Sequence, residues 1–329
     1  MDRYRYKYLV IRFSSIGDIV LTTPVLRLLK KRRPDAQIHF VTKQKYASLM
    51  SQNPYVHKVH VLGDSLLDLL RSLRRERFDY VLDLHSNLRS AIIKTYLGEK
   101  TFSVRKNSWH KRLYTTFKIN LLSPNMHVVD RYIETLCGLR VRNDGAGLDF
   151  FMPSRVSLSE PLENLTASGQ FIAIAAGAQH ATKKMPWVML ANLCSKLRLP
   201  AVLLGGEDAY AEACEVVRAT PNATNACGVL DIYQSALILE RAHAVISHDT
   251  GLMHIAAALK KNVVSVWGNT VPEFGMAPYC PGPKSKIFEI KNLRCRPCSR
   301  IGFDDCPKGH FRCMNNLNYE DIASYVNEI

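Results

Sequence analysis

The sequence predicts an α/β protein built from two Rossmann-like, doubly wound domains. Short and almost continuous apolar runs alternate with segments of helical periodicity, which is the pattern of a parallel sheet with helices on both faces. The alternation starts again near residue 170, and a chain of 329 residues is long enough for two domains. Such domains place their ligand sites at the carboxyl ends of the strands.

The first set of elements lies in residues 1–155, which we take as the N-terminal domain. Apolar runs predict strands at 8–13, 38–42, 59–62 and 80–84, and the helical patterns lie at 25–33 and 65–77. Residues 153–169 contain proline and serine with little periodicity, and they are expected to form a linker.

The second set lies in residues 170–315 and repeats the order of the first. Strands are predicted at 171–175, 201–204, 244–247 and 263–266, with helices at 187–197, 209–219, 233–239 and 252–258. Residues 316–329 are expected to form a C-terminal helix that packs back on the N-terminal domain.

Positive charge is concentrated in the first half of the chain. Residues 1–150 hold 27 Lys and Arg against 13 Asp and Glu, a net charge of +14, whereas the remainder holds 17 against 16. This asymmetry indicates an anionic partner for the first half. A phosphorylated glycolipid at a membrane surface and a nucleic acid both fit, and so does a solvated basic surface that has no specific ligand.

The composition, 47% hydrophobic and 22% charged residues, is typical of soluble globular proteins. The first seven residues are basic and aromatic and lead directly into a strand, without the long apolar stretch of a signal peptide. No segment approaches the roughly 20 apolar residues that span a bilayer. We therefore expect a cytoplasmic protein.

An acidic residue follows the first predicted strand. In residues 12–18 the loop contains Gly17 and ends at Asp18. A glycine there lets the backbone approach a ligand, and a carboxylate at this point projects into the crevice at the strand end. Asp18 is thus a candidate general base, although a helix cap explains the same residue equally well.

Two loops of the second half carry residues suited to phosphate. Lys183 and Lys184 follow Thr182 in the loop before a helix, and lysine charge with loop amides suits a diphosphate. The alternative is an exposed basic loop. After the next strand, Glu207 follows two glycines and suits a ribose hydroxyl, although these residues also fit a helix cap at Asp208.

The strongest local pattern is an apolar strand that runs into Asp249, Thr250 and Gly251 at the start of a helix. A hydroxyl, a glycine amide and the donors of a helix N-terminus together form an anion-binding arrangement. A pyrophosphate fits there. The structural alternative is that Asp249 or Thr250 caps the helix and that His254 is a core histidine.

Taken together, these segments resemble the ordered motifs of the glycosyltransferase family 9 heptosyltransferases. The resemblance rests on residues 14–24, 177–186, 205–206 and 249–254, and it covers nearly the whole chain in order. One position departs from the pattern, because Met185 stands where a tryptophan is usual before the proline. That change affects the packing expected under the lysine loop.

The resemblance implies a GT-B fold that binds the acceptor in the N-terminal domain and ADP-heptose in the C-terminal one. It implies Asp18 as the catalytic base. The implied acceptor-binding residues are Ser15, Gly17, His85, Asn87 and Arg89. The implied donor-binding residues are Thr182, Lys183, Lys184, Glu207, Asp249, Thr250, Gly251 and His254.

The reaction implied by the resemblance is an inverting transfer of heptose from ADP-heptose to the inner core of lipopolysaccharide. No Asp-x-Asp occurs in the chain, so lysine and helix dipoles are expected to take the place of a metal, and no cofactor is expected. The expected partners are ADP-heptose and an anionic glycolipid, with peripheral contact at the inner membrane. Nucleic acid is not expected.

Four of the nine cysteines form a C-terminal cluster of Cys295, Cys298, Cys306 and Cys313. In a reducing compartment, Cys-x2-Cys followed by two more cysteines indicates a metal before a disulfide. The second pair is separated by six residues, which is wider than usual for zinc. Structural zinc and metal-free thiols both stay open, and a catalytic role is not expected.

Three other functions compete with this interpretation. A family 9 enzyme with another sugar or glycan acceptor would carry the same motifs. A nucleic-acid-binding protein would use the basic half, but it leaves Asp18 and the Asp249 loop unexplained. A sugar-nucleotide epimerase or dehydrogenase is disfavoured, because the first loop lacks the G-x-G-x-x-G of a nicotinamide enzyme.

Overall fold

The computed structural model describes residues 5–124 and 126–329, so residues 1–4 of the basic N-terminal stretch lie outside the described part. The chain forms two compact units. The first contains residues 5–106 and 127–151, and the second contains the described residues of 107–126 together with 152–329. A single boundary near residue 155 therefore misses one excursion of the chain, because 107–126 belongs with the second unit.

The first unit contains a five-stranded parallel sheet in the order β3-β2-β1-β4-β5. The strands are β1 (Lys7–Ile11), β2 (Gln37–Lys43), β3 (Lys58–Leu62), β4 (Tyr80–Asp83) and β5 (Lys100–Ser103). The predicted strands are present, and β5 was not predicted because it is a short edge strand without an apolar run. The central strands are buried, as a sheet covered on both faces requires.

Helices cover this sheet. They are α1 (Ile16–Val20), α2 (Thr23–Arg32), α3 (Ser48–Ser51), α4 (Leu66–Glu76), α5 (Leu88–Leu97) and α7 (Val128–Ile133). In α4 the N-cap hydroxyl of Ser65 accepts from the Asp68 amide at 3.2 Å, and the helix ends at Arg77 with a φ of 55°. Three leucines of α4 pack into the core of the unit, namely Leu69, Leu70 and Leu73.

The second unit contains a six-stranded parallel sheet in the order β11-β10-β9-β6-β7-β8. The strands are β6 (Ile172–Ala175), β7 (Ala201–Leu204), β8 (Ala223–Asn225), β9 (Ala244–His248), β10 (Val263–Trp267) and β11 (Lys286–Glu289). The four inner strands match the prediction. The two edge strands, β8 and β11, lack a continuous apolar run and were missed for that reason.

The helices of the second unit follow its strands. They are α6 (Ser108–Phe117), α8 (Glu160–Thr166), α9 (Trp187–Lys196), α10 (Tyr210–Ala219), α11 (Ile232–Arg241), α12 (Gly251–Ala258), α13 (Arg312–Asn315) and α14 (Tyr319–Glu328). Helix α8 lies within the predicted linker, where Leu162 and Thr166 are buried. The stretch 153–169 is thus partly helical and packed.

The C-terminal helix α14 packs against α9 of the second unit. Its apolar face, which includes Ile322 and Val326, is buried in the core of that unit. The Asn327 amide also donates to the Lys196 carbonyl at 2.9 Å. This corrects the expected packing on the N-terminal domain, because the apolar stripe of α14 is already covered within the second unit.

The strand order positions one site in each unit. In the first sheet the order reverses between β1 and β4, and in the second it reverses between β6 and β9. A doubly wound sheet binds ligands in the crevice at such a switch point, beyond the carboxyl ends of the strands. None of the helices in the described part of the chain has the length and apolar content needed to cross a membrane.

Candidate active site

Asp18 lies at the switch point of the first unit, in the first turn of α1. Its Oδ1 is 2.7 Å from a guanidinium nitrogen of Arg12. Its Oδ2 accepts from the amide and the hydroxyl of Ser15, at 3.2 and 3.0 Å. The N-cap of α1 is therefore Ser15, and Asp18 is the third helical residue, whose carboxylate bonds back to that cap; its side chain is 24% exposed and can also meet a ligand.

The charge state of Asp18 follows from these partners. Burial alone would raise the pKa of this carboxyl, but the charge of Arg12 and the hydrogen bonds from Ser15 outweigh that effect, so its pKa is lowered. Asp18 is therefore a carboxylate at neutral pH. It can accept a proton from a ligand hydroxyl that reaches its exposed side.

Arg12 holds this arrangement in place, and the sequence analysis did not identify it. Its guanidinium donates to the carbonyls of Ser14 and Leu84, at 2.8 and 2.7 Å, and to the hydroxyl of Tyr132 at 2.8 Å. It therefore ties the loop after β1 to the loop after β4 and to α7. A cation at the end of the first strand, six residues before Asp18, was the signal that could have identified it.

A buried carboxylate, Asp83, shapes the loop after β4. It accepts from the amides of His85 and Ser86 at 3.1 and 2.7 Å and from the hydroxyl of Ser90 at 2.9 Å. Lys94 lies 2.8 Å from Oδ2, the oxygen that also accepts from Ser90, and balances the charge of Asp83. The loop that carries His85 is thus fixed by hydrogen bonds within the first unit.

His85 joins Asp18 at this switch point. Its ring packs edge-on against Phe13, with 5.0 Å between centroids. Burial, together with the charges of Arg12 and Lys106, lowers its pKa to about 4. His85 is therefore neutral at neutral pH and can exchange hydrogen bonds with an uncharged hydroxyl.

The other residues of the expected acceptor site lie nearby with different roles. Asn87 is the N-cap of α5 and accepts from the Ser90 amide at 2.9 Å. Gly17 is buried in α1 and has no side chain to offer a ligand, so its role is in packing. Arg89 is exposed on α5.

The second unit places Lys183 beside Asp249 at its own switch point. Lys183 ends the short 3₁₀ helix Ala181–Lys183 after β6, and Asp249 follows β9. The Lys183 ammonium is 2.6 Å from Asp249 Oδ2, which also accepts from the Thr270 hydroxyl at 3.1 Å. Two loops that are 66 residues apart in sequence thus meet at one cation.

Helix α12 begins at Gly251 next to this lysine. Thr250 is its N-cap, and the Thr250 side chain forms no capping hydrogen bond. The hydroxyl and the first amides of the helix are therefore available to a ligand, and the helix dipole favours an anion there. Lys183, Thr250 and Gly251 thus lie together at this switch point, and phosphate binding there stays a prediction.

Two neighbours of Lys183 have structural partners. Lys184 is paired with the Glu212 carboxylate of α10, with both oxygens at 2.9 Å. Thr182 is buried, and its hydroxyl donates to the Phe303 carbonyl at 2.9 Å and accepts from the Phe303 amide at 2.8 Å. Of the three expected residues in this loop, Lys183 is the one directed at the switch point.

Glu207 and His254 differ in their exposure to solvent. Glu207 is exposed in the 3₁₀ helix Glu207–Ala209 that follows β7, next to the central strand β6. His254 is buried within α12. The core-histidine alternative therefore describes His254, whereas Glu207 remains accessible to a ligand.

Two glycines allow the loops after β6 and β7 to lie in contact. A Cβ on Gly205 would be 2.9 Å from the Ala209 Cβ and 3.1 Å from the Gly177 amide nitrogen. A Cβ on Gly177 would be 3.2 Å from the Gly205 Cα. The close approach of these loops requires residues without side chains.

The four C-terminal cysteines are free thiols. The Cys298 thiol donates to the Cys295 carbonyl at 3.0 Å, and burial raises the pKa of Cys298 to about 12. In the described chain no three of these sulfur atoms approach within 4.8 Å of one another. The structure therefore does not assemble the zinc ligand set that the sequence left open.

A different group of ligand-type side chains lies in the first unit. Among the described residues, His39, His60 and Glu76 form the one set of three whose donor atoms lie within 4.8 Å. The two rings hydrogen-bond at 2.9 Å, and Lys58 lies 2.6 Å from Glu76. These contacts form a hydrogen-bonded network between β2, β3 and α4.

Comparison with known proteins finds a family and relatives that this chain resembles. The model of glycosyltransferase family 9 (heptosyltransferase) matches residues 66–302. The lipopolysaccharide heptosyltransferase 1 of Campylobacter coli is 24% identical over 98% of this chain and 98% of its own length.

Solved structures share the fold. The family 9 glycosyltransferase of Veillonella parvula matches with a TM-score of 0.74 at 20% identity, over 100% of this chain and 99% of its own. ADP-heptose lps heptosyltransferase II of E. coli matches with a TM-score of 0.70 at 21% identity, over 98% of each chain. The two parallel sheets and these matches confirm the expected GT-B fold class.

Proposed function

The chain belongs to glycosyltransferase family 9, and from this membership we propose that it transfers heptose from ADP-heptose to the inner core of lipopolysaccharide. The observation that carries the proposal is the position of Lys183, 2.6 Å from Asp249 and next to the open N-terminus of α12. This is the arrangement that a nucleotide diphosphate requires.

Residues of the second unit bind the donor. Asp249 holds the Lys183 ammonium in place, so little conformational entropy is lost when a phosphate oxygen replaces part of that contact. Thr250 and the first amides of α12 supply uncharged donors, and Glu207 is placed to accept from a ribose hydroxyl. The Lys183 ammonium and the donors at the start of α12 stabilise the negative charge that grows on ADP as it leaves.

Asp18 acts as the general base in the first unit. It takes the proton of an acceptor hydroxyl, whose oxygen forms a bond to the anomeric carbon of the heptose. The bond from that carbon to the diphosphate breaks at the same time, and its electron pair leaves with ADP. Attack from the face opposite the leaving group inverts the anomeric configuration.

His85 completes the acceptor side of this mechanism. His85 is neutral and close to Asp18. It can therefore orient a sugar hydroxyl through a hydrogen bond, without an ionic interaction with the charged groups of the acceptor. Arg12 keeps Asp18 ionised and fixed. The base is therefore ready before the acceptor arrives.

We also propose that the basic first unit brings the enzyme to the inner-membrane surface that presents its acceptor. The net charge of +11 in residues 1–106 and 127–151, from 24 Lys and Arg against 13 Asp and Glu, supports this proposal. Sedimentation with anionic vesicles at low salt tests it. Protein that stays in the supernatant with anionic and neutral vesicles alike contradicts it.

The decisive experiment is a transfer assay with ADP-heptose and a deacylated inner-core oligosaccharide. Mass spectrometry should show the acceptor gaining one heptose, and NMR should show an inverted anomeric centre. Asp18→Asn should lower turnover by about 10²–10⁴-fold and leave calorimetric binding of ADP-heptose within about twofold. Transfer from another nucleotide sugar but not from ADP-heptose would contradict the proposed donor.

A further inference from the structure

Helix α6 forms one wall of a cavity in the second unit. Lys118, at the end of this helix, donates to the carbonyls of Cys295 and Pro297, at 3.0 and 2.7 Å. The Tyr114 ring packs edge-on against Phe274, with 6.0 Å between centroids. A cavity of about 430 Å³ lies between α6 and residues 298–303.

The lining of this cavity combines cations, aromatic rings and hydroxyls. The residues that supply these groups are Ser108, Trp109, Arg112, Thr115, Arg300 and Phe303. No carboxylate is among the lining residues. The cavity is therefore positive, and it has both a flat apolar surface and hydrogen-bonding groups.

The two arginines are available to a ligand. Arg112 and Arg300 are exposed, and neither forms an ion pair in the part of the chain that the structure describes. The planar guanidinium group binds carboxylates and phosphates through two parallel hydrogen bonds. Two such groups in one cavity without a counter-charge select for an anion.

The aromatic ring of Trp109 indicates which kind of molecule bears the anionic group. Its side chain is 73% exposed at the cavity, which is unusual for a residue of this size. An aromatic face offers an apolar surface to the C–H face of a sugar ring, and the Ser108 and Thr115 hydroxyls can bond sugar hydroxyls. The combination suits a charged carbohydrate better than a free inorganic ion.

The cavity is coupled to the phosphate loop within the same unit. Phe303 lines the cavity, and its amide and carbonyl both bond to Thr182. Thr182 directly precedes Lys183. A ligand in the cavity therefore lies beside the loop that holds the donor diphosphate, where an acceptor is expected.

We propose that this cavity binds an acidic sugar of the acceptor, with Arg112 and Arg300 on its carboxylate or phosphate and Trp109 against its ring. The inference rests on the proposed heptosyl transfer and deepens it, because it assigns part of acceptor recognition to the second unit. The resemblance to the family placed the acceptor in the first domain alone.

Kinetics of charge-removing variants test the proposal. Arg112→Gln and Arg300→Gln should each raise KM for the deacylated inner-core oligosaccharide about tenfold, since one charge-assisted hydrogen bond is worth roughly that factor. KM for ADP-heptose should stay within about twofold. Arg294→Gln is the matched control, because it removes an exposed arginine of the same loop that does not line the cavity.

Binding supplies a readout that does not depend on turnover. Titration with the same oligosaccharide should change the tryptophan fluorescence of the wild type, and Trp109→Phe should abolish most of that change. If transfer proceeds but the Arg112→Gln/Arg300→Gln double variant keeps the wild-type acceptor KM, the cavity proposal is wrong and the transfer stands. If transfer fails, unchanged oligosaccharide affinity in the double variant still overturns the cavity proposal.

Phosphatase treatment of the oligosaccharide identifies the anionic group that the arginines bind. Loss of affinity after phosphatase treatment would assign the arginines to a phosphate, and retained affinity would assign them to a carboxylate. Both results support an acidic sugar. Equal affinity for inorganic phosphate alone would contradict it, because the ring and hydroxyl contacts would then contribute nothing.

Discussion

The guanidinium of Arg12 lies 2.7 Å from the carboxylate of Asp18, and the same guanidinium donates to Tyr132 on α7. The base is therefore coupled to a residue 114 positions away in sequence. This coupling affects the pH dependence of the reaction, since it stabilises the ionised form of Asp18.

Replacing Arg12 by glutamine should shift the acidic limb of the kcat/KM profile to higher pH. Arg12 lowers the pKa of Asp18, so without that charge the carboxyl protonates at a higher pH and the base is lost sooner on acidification. Tyr132→Phe is the control, because it removes a neutral partner and keeps the charge. An acidic limb at the wild-type pH in Arg12→Gln would exclude this role.

Lys183→Ala should weaken ADP binding about 10- to 100-fold, since a charge-assisted hydrogen bond contributes roughly 1.5–3 kcal/mol. Lys184→Ala should weaken it less than about threefold, because its partner Glu212 lies on α10 and not, like the Lys183 partner Asp249, at the start of α12. Isothermal titration calorimetry measures both. Equal losses in the two variants would mean that Lys184 leaves Glu212 for the phosphate.

Gly205→Ala should destabilise the second unit by about 1–3 kcal/mol, because the added Cβ would lie 2.9 Å from the Ala209 Cβ and 3.1 Å from the Gly177 nitrogen. Gly63→Ala is the control, since nothing lies within 4 Å of its added Cβ. Thermal unfolding followed by circular dichroism compares them. A Gly205→Ala protein as stable as Gly63→Ala would show that the two loops separate easily.

Arg27 of α2 is ion-paired with Asp144 at 3.0 Å and with Asp149, and these pairs should contribute stability that is lost in acid. Hydrogen bonding to Arg27, opposed in part by burial, lowers the pKa of Asp144, so its contribution is complete above the unfolded pKa of about 4 and disappears as the pH falls towards the folded value. Asp144→Asn should therefore be less stable than wild type at neutral pH, with a gap that narrows on acidification. Urea unfolding at several pH values measures this gap.

The surface pair of Asp68 and Arg71 is the comparison for that experiment. Both side chains are mostly exposed, so Asp68→Asn should change the free energy of unfolding by less than about 1 kcal/mol. If the free energies of unfolding of wild type and Asp144→Asn differ by the same amount at all pH values, the effect of the substitution arises from packing and not from ionisation.

The inner strands of both sheets could be predicted because they are buried on both faces and their sequences are continuously apolar. Among the edge strands, β5, β8 and β11 could not, since they are partly exposed and carry polar residues, whereas β3 could be predicted from its apolar residues at 59, 61 and 62. Local sequence therefore predicts a strand well where apolar residues dominate it, and edge strands often lack them.

The residues of the site also fall into those that could be predicted from the sequence and those that could not. Asp18, Lys183 and Asp249 could be predicted because each follows a strand whose end lies at a switch point. The Arg12 contact with Tyr132 and the Thr182 contact with Phe303 could not, since these partners are 120 and 121 residues away. Such pairs exist only after the sheets have formed.

The excursion of residues 107–126 means that the backbone passes between the two units three times, after residues 106, 126 and 151. No single cut in the gene separates them. A fragment that ends at residue 155 would keep α6 but lack the surface on which it lies, and the complementary fragment would lack a wall of its cavity. Exchange of donor specificity between relatives by swapping halves should therefore move this helix with the C-terminal half.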